Sequence, residues 1–265
     1  MSETPGGTYG LVFLGDIMGE PGMEAVRQGI PAILAQEQPL FLVVNAENAA
    51  PSGKGLLPAQ AEELYALGVD AITLGNHAFD EPAIEPYLNL GKPIVRPANA
   101  PMNAPGRGRT SVTKDGITLH LINLCGQVFM KEWEEPFRAA LGLVKACDSP
   151  HILVDFHAEA TSEKIAMGWH LDGQVSLVVG THTHVATADE QILPGGTAYQ
   201  TDVGMSGPHG GVIGMDRSAV LAKFTKTSLV RFRVHDGPGM IHGVRVDVDR
   251  VTGRAQAIRR LTWST

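Results

Sequence analysis

A chain of 265 residues, 43% apolar and 18% charged, can bury one large core or two small ones, and its composition excludes disordered and collagen-like classes. The formal net charge of −7 argues against broad attraction to nucleic acid or to an anionic membrane, although bound cations reverse that sign locally. Two cysteines, Cys125 and Cys147, are too few for a disulfide framework and form no C-x-x-C pair, so reduced thiols are expected.

Along the chain, Met1–Gly7 has no basic segment leading into an apolar run, and no apolar stretch nears the roughly 20 residues of a membrane span. A cytoplasmic protein without membrane attachment is expected. Tyr9–Leu14 reads as a buried strand that stops at Gly15-Asp16. The spacing of Ala25, Val26, Ile30, Ile33 and Leu34 predicts a helix over Met23–Gln38, kinked or split at Pro31. Leu40–Val44 is a second strand, closed by Asn45-Ala46-Glu47-Asn48. Pro51–Gly55 is turn-rich, Ala59–Leu67 is helical and ends at Gly68, and Ala71–Leu74 is a third strand ending at Gly75-Asn76-His77.

The second half continues with a strand over Ile117–Leu124, a helix over Phe137–Ala146 and a strand over Ile152–Phe156 ending at His157. Ser162–His170 reads as a helix with Ser162 as N-cap, and Val175–Val179 as a strand ending at Gly180-Thr181-His182-Thr183-His184. Pro194–Gly214 is rich in Gly, Pro and polar residues and predicts a long functional loop. Leu229–Val234, Gly243–Val248 and Ala257–Leu261 read as antiparallel strands. Strand–helix–strand alternation predicts an α/β fold with a mostly parallel sheet, and the absence of repeats or linkers makes one domain over residues 1–265 the simplest organisation.

Five apolar runs thus end in metal-capable groups: Asp16, Glu47-Asn48, Asn76-His77, His157, and His182 with His184. In open α/β sheets ligands bind just beyond the carboxyl ends of the strands, so these residues would meet on one rim. Each has a plainer reading alone. Asp16 suits a helix cap or turn, Glu47-Asn48 a polar loop, Asn76 a turn after Gly75, and His157 a hydrogen-bonded interior histidine. His182 and His184, two apart on an extended segment, would point the same way, which is the stronger sign. Carboxylate, carboxamide and imidazole without thiolate suit manganese, iron or zinc, and six or seven ligands suit two ions sharing a carboxylate better than one.

The ordered blocks Gly15-Asp16, Asn45-Ala46-Glu47-Asn48, Gly75-Asn76-His77, His157 and Gly180-Thr181-His182-Thr183-His184 resemble the calcineurin-like metallophosphoesterase superfamily. Gly15-Asp16-Ile17-Met18-Gly19, Thr201-Asp202-Val203-Gly204-Met205, Gly207-Pro208 and Val212-Ile213-Gly214-Met215 bring it closest to its YmdB-like branch of bacterial cyclic-nucleotide phosphodiesterases. The resemblance implies a layered sandwich of mixed β-sheets flanked by helices. It implies two metal ions, iron or manganese before zinc. Asp16, Glu47, Asn48 and His184 would hold one, and Glu47, Asn76, His157 and His182 the other. A hydroxide generated at neutral pH would then attack the phosphorus of a 2′,3′- or 3′,5′-cyclic nucleotide, with His77 protonating the leaving oxygen or stabilising the transition state.

Three departures accompany the resemblance. Met18 stands where the superfamily usually has a metal-binding histidine, leaving Asn48 to fill that vacancy; Glu47 replaces the usual bridging aspartate; and Ala78 follows the Gly-Asn-His block, leaving Asp80 to orient His77. Gly207 and His209, in the glycine-rich segment, are candidates for substrate contact, with a plain surface loop as the alternative. Arg107 and Arg109 read as solvated side chains.

Ser52-Gly53-Lys54-Gly55 lacks the glycine spacing and the hydroxyl residue of a P-loop; Gly15, Gly19 and Gly22 are misspaced for a dinucleotide fingerprint; and no G-x-S-x-G is present. The alternatives kept open are a phosphomonoesterase or nucleotidase, and a regulatory metal-binding protein acting through a protein or RNA partner. The expected partners are a small phosphate ester and, from family likeness, a second copy of the chain; no strong nucleic-acid binding is expected.

Overall fold

The computed structural model describes residues 7–131, 133–226 and 231–264. In the first half, β1 (Thr8–Leu14) and the short β2 (Asp16–Ile17) precede α1 (Gly19–Glu37). They are followed by β3 (Phe41–Asn45), α2 (Pro58–Ala66), β4 (Ala71–Thr73), α3 (Ile84–Leu88) and β5 (Ile94–Val95). The second half holds β6 (Arg109–Lys114), β7 (Ile117–Cys125), α4 (Pro136–Lys145), β8 (Ile152–His157), α5 (Thr161–Leu171) and β9 (Leu177–Thr181). Then come β10 (Gln191–Ile192), β11 (Ala198–Gln200), β12 (Met205–Ser206), α6 (Arg217–Phe224), β13 (Met240–Asp249) and β14 (Ala255–Ser264).

The strands form two six-stranded mixed sheets, ordered β14-β13-β1-β3-β4-β5 and β10-β11-β9-β8-β7-β6, with β2 and β12 paired apart. Each sheet is parallel at its centre, from β1 to β5 and from β7 to β11. Antiparallel edges come from the β13–β14 hairpin, β6 and β10. Side chains alternate across each strand. Leu11, Phe13, Phe41 and Val43 therefore face Leu121, Leu153 and Val179 between the sheets, while Val12, Leu14, Leu42 and Val44 pack outward on α1, α2 and α3. Ile122, Val154 and Phe156 pack on α4 and α5 on the far side. The layered sandwich of mixed sheets flanked by helices is the architecture found.

Several local expectations are corrected. The first helix begins at Gly19 and runs unbroken through Pro31, because the lost backbone bond is offset by burial of Ile30 and Ile33 on the sheet. Ser162 lies inside α5, whose N-cap position is Ala160, without a side-chain cap. The segment Pro194–Gly214 is not all loop: Ala198–Gln200 pairs with β9 and Met205–Ser206 with β2, because Tyr199, Val203 and Met205 are buried. Of the expected strand Leu229–Val234, residues 229–230 lie outside the described residues, and 231–234 contribute only an isolated bridge, Met215–Val234. Among the described residues no helix is long and apolar enough to cross a membrane; residues 1–6 lie outside them.

Candidate metal centre

The parallel strands of both sheets deliver their carboxyl ends to one place. Asp16 follows β1, Glu47 and Asn48 follow β3, Asn76 and His77 follow β4, His157 closes β8, and His182 and His184 follow β9. Asn45 sets the entry of Glu47: its Oδ1 accepts from the Glu47 amide at 3.0 Å, while its Nδ2 donates to Asp155 at 2.9 Å.

At the centre, His157 Nε2 lies 3.0 Å from each of three atoms: Glu47 Oε1, Asn76 Oδ1 and His182 Nδ1. One imidazole nitrogen carries at most one proton and cannot hydrogen-bond to all three. Four lone-pair atoms aimed at one point are the donor set of a cation, and ligand atoms of Glu47, His157 and His182 all lie within 4.8 Å of one another. Gly75 leaves the room: a Cβ there would stand 2.3 Å from Glu47 Oε2 and 2.5 Å from His157 Nε2.

All three histidines turn one nitrogen outward to an acceptor, which leaves the other to offer a lone pair to a cation. Thr181 Oγ1 donates its only hydrogen to Asp155 at 2.7 Å, so it accepts from His157 Nδ1 at 2.8 Å, and Nε2 is left as the lone-pair atom. His182 Nε2 donates to Glu159 at 3.1 Å, freeing Nδ1. His184 Nδ1 donates to the Ile213 carbonyl at 2.9 Å, and Nε2 stands 3.3 Å from Asn48 Oδ1. Asn48 follows the same logic, since its Nδ2 donates to the Gly53 carbonyl at 2.9 Å and leaves Oδ1 facing His184.

Asp16 is fully buried, and its Oδ1 has no hydrogen-bond partner among the described residues, while Oδ2 accepts from the His182 amide at 3.3 Å. An orphaned buried carboxylate oxygen is costly unless a cation meets it. Burial pushes the Asp16 carboxyl above its ordinary range. Against burial, Glu47 and Asp16 push the His157 imidazole up to about 9, and its charge in turn outweighs burial of Glu47 and brings that carboxyl down to about 2; a cation bound at Nε2 would displace that proton. His182 is held at about 3 by burial, then by His157, which keeps its imidazole neutral as a ligand requires.

His182 and His184 do not lie on an extended segment. Both have left-handed backbones, φ 99° and 65°, and they turn to different partners on either side of Thr183. The strain is held by Asp202, which accepts from Thr183 N at 3.2 Å, Thr183 Oγ1 at 2.7 Å and Gly204 N at 2.8 Å. Lys164 Nζ completes this buried cluster at 2.6 Å from Asp202. Neither Lys164 nor the Asp155–Thr181 relay was singled out in the sequence. Asp155 had a signal, a carboxylate interrupting the apolar run Ile152–Phe156 and two residues before His157; Lys164, one lysine on an ordinary helix, had none.

His77 sits apart from the cluster. Its amide donates to Glu47 Oε2 at 2.9 Å, and its Nδ1 is 2.7 Å from Asp80 Oδ2, which leaves Nε2 for a ligand. The centre opens into a cleft of about 370 Å³ lined by Asn48, Lys54, His77, Glu159, His184 and Ile213, among others. Larger hollows beside Arg107 and Arg109, and between α1 and Asp236, contain no part of the cluster. Gly207 and His209 do not line the cleft; Gly207 pairs its backbone with Met240, and His209 stacks on His242 at 4.4 Å.

A family model described as YmdB-like protein matches residues 12–261. A 2′,3′-cyclic-nucleotide 2′-phosphodiesterase of Bacillus subtilis (strain 168) is 46% identical over 253 residues, spanning 95% of this chain and 96% of the relative. Among solved structures, a hypothetical protein from Thermus thermophilus superposes with a TM-score of 0.90 at 39% identity, covering 96% of this chain and 99% of that one. A structure titled as a novel phosphatase, from Mycoplasma pneumoniae, gives 0.91 at 33% identity, covering 97% and 94%.

Proposed function

The chain belongs to the YmdB-like protein family, and from that premise we propose that it is a dinuclear metal-dependent phosphodiesterase that opens 2′,3′-cyclic nucleotides. The observation that carries this reading is the inward turn of three imidazole lone pairs on Glu47, Asn76 and Asn48, each imidazole fixed by an outward hydrogen bond. The name of the Bacillus subtilis relative supports the 2′,3′ cyclic class and cleavage at the 2′ oxygen.

In this reading Asp16, Glu47, Asn48 and His184 hold one ion, and Glu47, Asn76, His157 and His182 the other, with iron or manganese favoured over zinc by the oxygen-rich set. Such ions, when bound, supply hydroxide at neutral pH and neutralise charge on the phosphoryl group. The residues of the chain do the rest. Asn76, Glu47 and the histidines would hold the ions against which the phosphate docks. Lys54, the one lysine or arginine among the described residues that line the cleft, draws in the anion. His77 gives its Nε2 proton to the leaving 2′ oxygen while Asp80 steadies the ring through Nδ1.

Metal analysis of the purified protein, joined to turnover of 2′,3′-cyclic, 3′,5′-cyclic and monoester substrates, tests the proposal. Fastest hydrolysis of the 2′,3′ class by manganese- or iron-loaded protein is expected. Preference for monoesters, or turnover that survives Asp16→Ala, would overturn it.

A further inference from the structure

Val212 and Met215 exchange both backbone hydrogen bonds, at 2.8 and 2.9 Å, and close a hairpin around Ile213-Gly214. Both central residues have positive φ, 46° and 88°. A two-residue turn of that kind favours Asn-Gly, because a β-branched side chain resists the left-handed region. Isoleucine is therefore the wrong residue for the turn it occupies, and a residue that breaks its local rule is a candidate for function. The residue is half exposed, at 50%, and lines the cleft. Its carbonyl meanwhile holds His184.

The apolar surface continues beyond Ile213. Met215 lines the same cleft and packs on the buried Met18, and Gly53 leaves room for both thioethers: a Cβ there would lie 2.8 Å from Met18 Cε and 3.5 Å from Met215 Cε. The cleft thus has a floor of candidate metal ligands and one wall of aliphatic and thioether groups. Its volume of about 370 Å³ suits a nucleoside-sized ligand. Thioethers and branched alkyl groups pack well on the flat face of a base.

Resting on the phosphodiesterase reading, we infer that Ile213, with Met215, forms the subsite for the substrate's nucleobase, and that Ile213 is the residue that favours nucleoside cyclic phosphates over base-free ones. The wall stands beside His184, so a base on it leaves the attached ribose phosphate over the ligand cluster. Apolar contact of this kind acts on binding and is read mainly in KM.

The test is Ile213→Asn in the manganese-loaded protein. Asparagine suits the turn and keeps the carbonyl for His184, so the melting temperature is expected to hold or rise. The wild type should prefer 2′,3′-cyclic AMP over ribose 2′,3′-cyclic phosphate by roughly tenfold or more in kcat/KM. The variant should lose about tenfold on the nucleotide, through KM, and change little on the base-free ester. Calorimetric binding of 3′-AMP against ribose 3-phosphate should show the same collapse of preference. An unchanged ratio, or equal losses on both esters, overturns the subsite and leaves the phosphodiesterase reading standing. Failure of the loaded wild type to open either ester overturns that reading and the subsite with it.

Discussion

Thr181 Oγ1 accepts from His157 Nδ1 at 2.8 Å, and that one hydroxyl decides which face of the imidazole carries the proton. Thr181→Val removes the acceptor while keeping the shape of the side chain. Manganese affinity is expected to fall about 10–100-fold, with Thr181→Ser restoring most of it. Calorimetric titration of folded protein, checked by circular dichroism, measures this. A valine variant that binds manganese as tightly as wild type would show that the relay from Asp155 does not matter.

His77 is held to Asp80 and outside the ligand cluster. His77→Ala is expected to keep its metal content and lose roughly 10²–10⁴-fold in kcat. Asp80→Asn should lose less, about tenfold, since the ring keeps its place and loses only its carboxylate partner. Near-normal turnover by the alanine variant would remove His77 from the chemistry.

Gly75 offers a steric test of the same centre. A methyl group at this position would enter the space between Glu47 and His157, so Gly75→Ala should displace one or both ligands. We expect protein that folds but retains under a tenth of the wild-type manganese after dialysis, by elemental analysis, with turnover lost in parallel. Full metal content would mean that the cation does not sit beside Gly75.

Lys164 and Asp202 are both about 1% exposed and 2.6 Å apart. Removing one partner of such a pair typically costs about 3–5 kcal/mol. Asp202→Asn should reach that range in urea denaturation, because it strands a buried ammonium. Lys164→Met should cost less, because Asp202 keeps its bonds from Thr183 and Gly204. The reverse order would show that the lysine, not the aspartate, organises the turn that carries His182 and His184.

How much of this was legible beforehand differs by kind of information. Apolar runs bounded by glycine or polar residues marked the central strands, since burial on both faces leaves a continuous signal from Leu11 to Leu14 or from Phe41 to Val44. The exposed edge strand Arg109–Lys114 and the short Met205–Ser206 were not readable, because their stability comes from partners elsewhere in the chain. The ligands stood out because each ended a strand. The groups that orient His157 and His184, namely Thr181, Asp155 and the Ile213 carbonyl, act through contacts 24 to 29 residues apart, which no local periodicity reports. The left-handed turns at His182 and His184 were hidden for the same reason: Asp202, not the local sequence, holds them.

The division of the candidate ligands between the two sheets sets an order of events in the life of the chain. Asp16, Glu47, Asn48 and Asn76 follow strands of the first sheet, and His157, His182 and His184 end or follow strands of the second. The bonds from Asn45 and Thr73 to Asp155 seam the halves together directly beneath them. The leading half of the chain supplies oxygen donors and no imidazole from this set, and its sheet is completed only by the C-terminal β13 and β14, so tight cation capture would wait until the trailing half has docked. Uptake of the proposed ions would therefore report that assembly is finished.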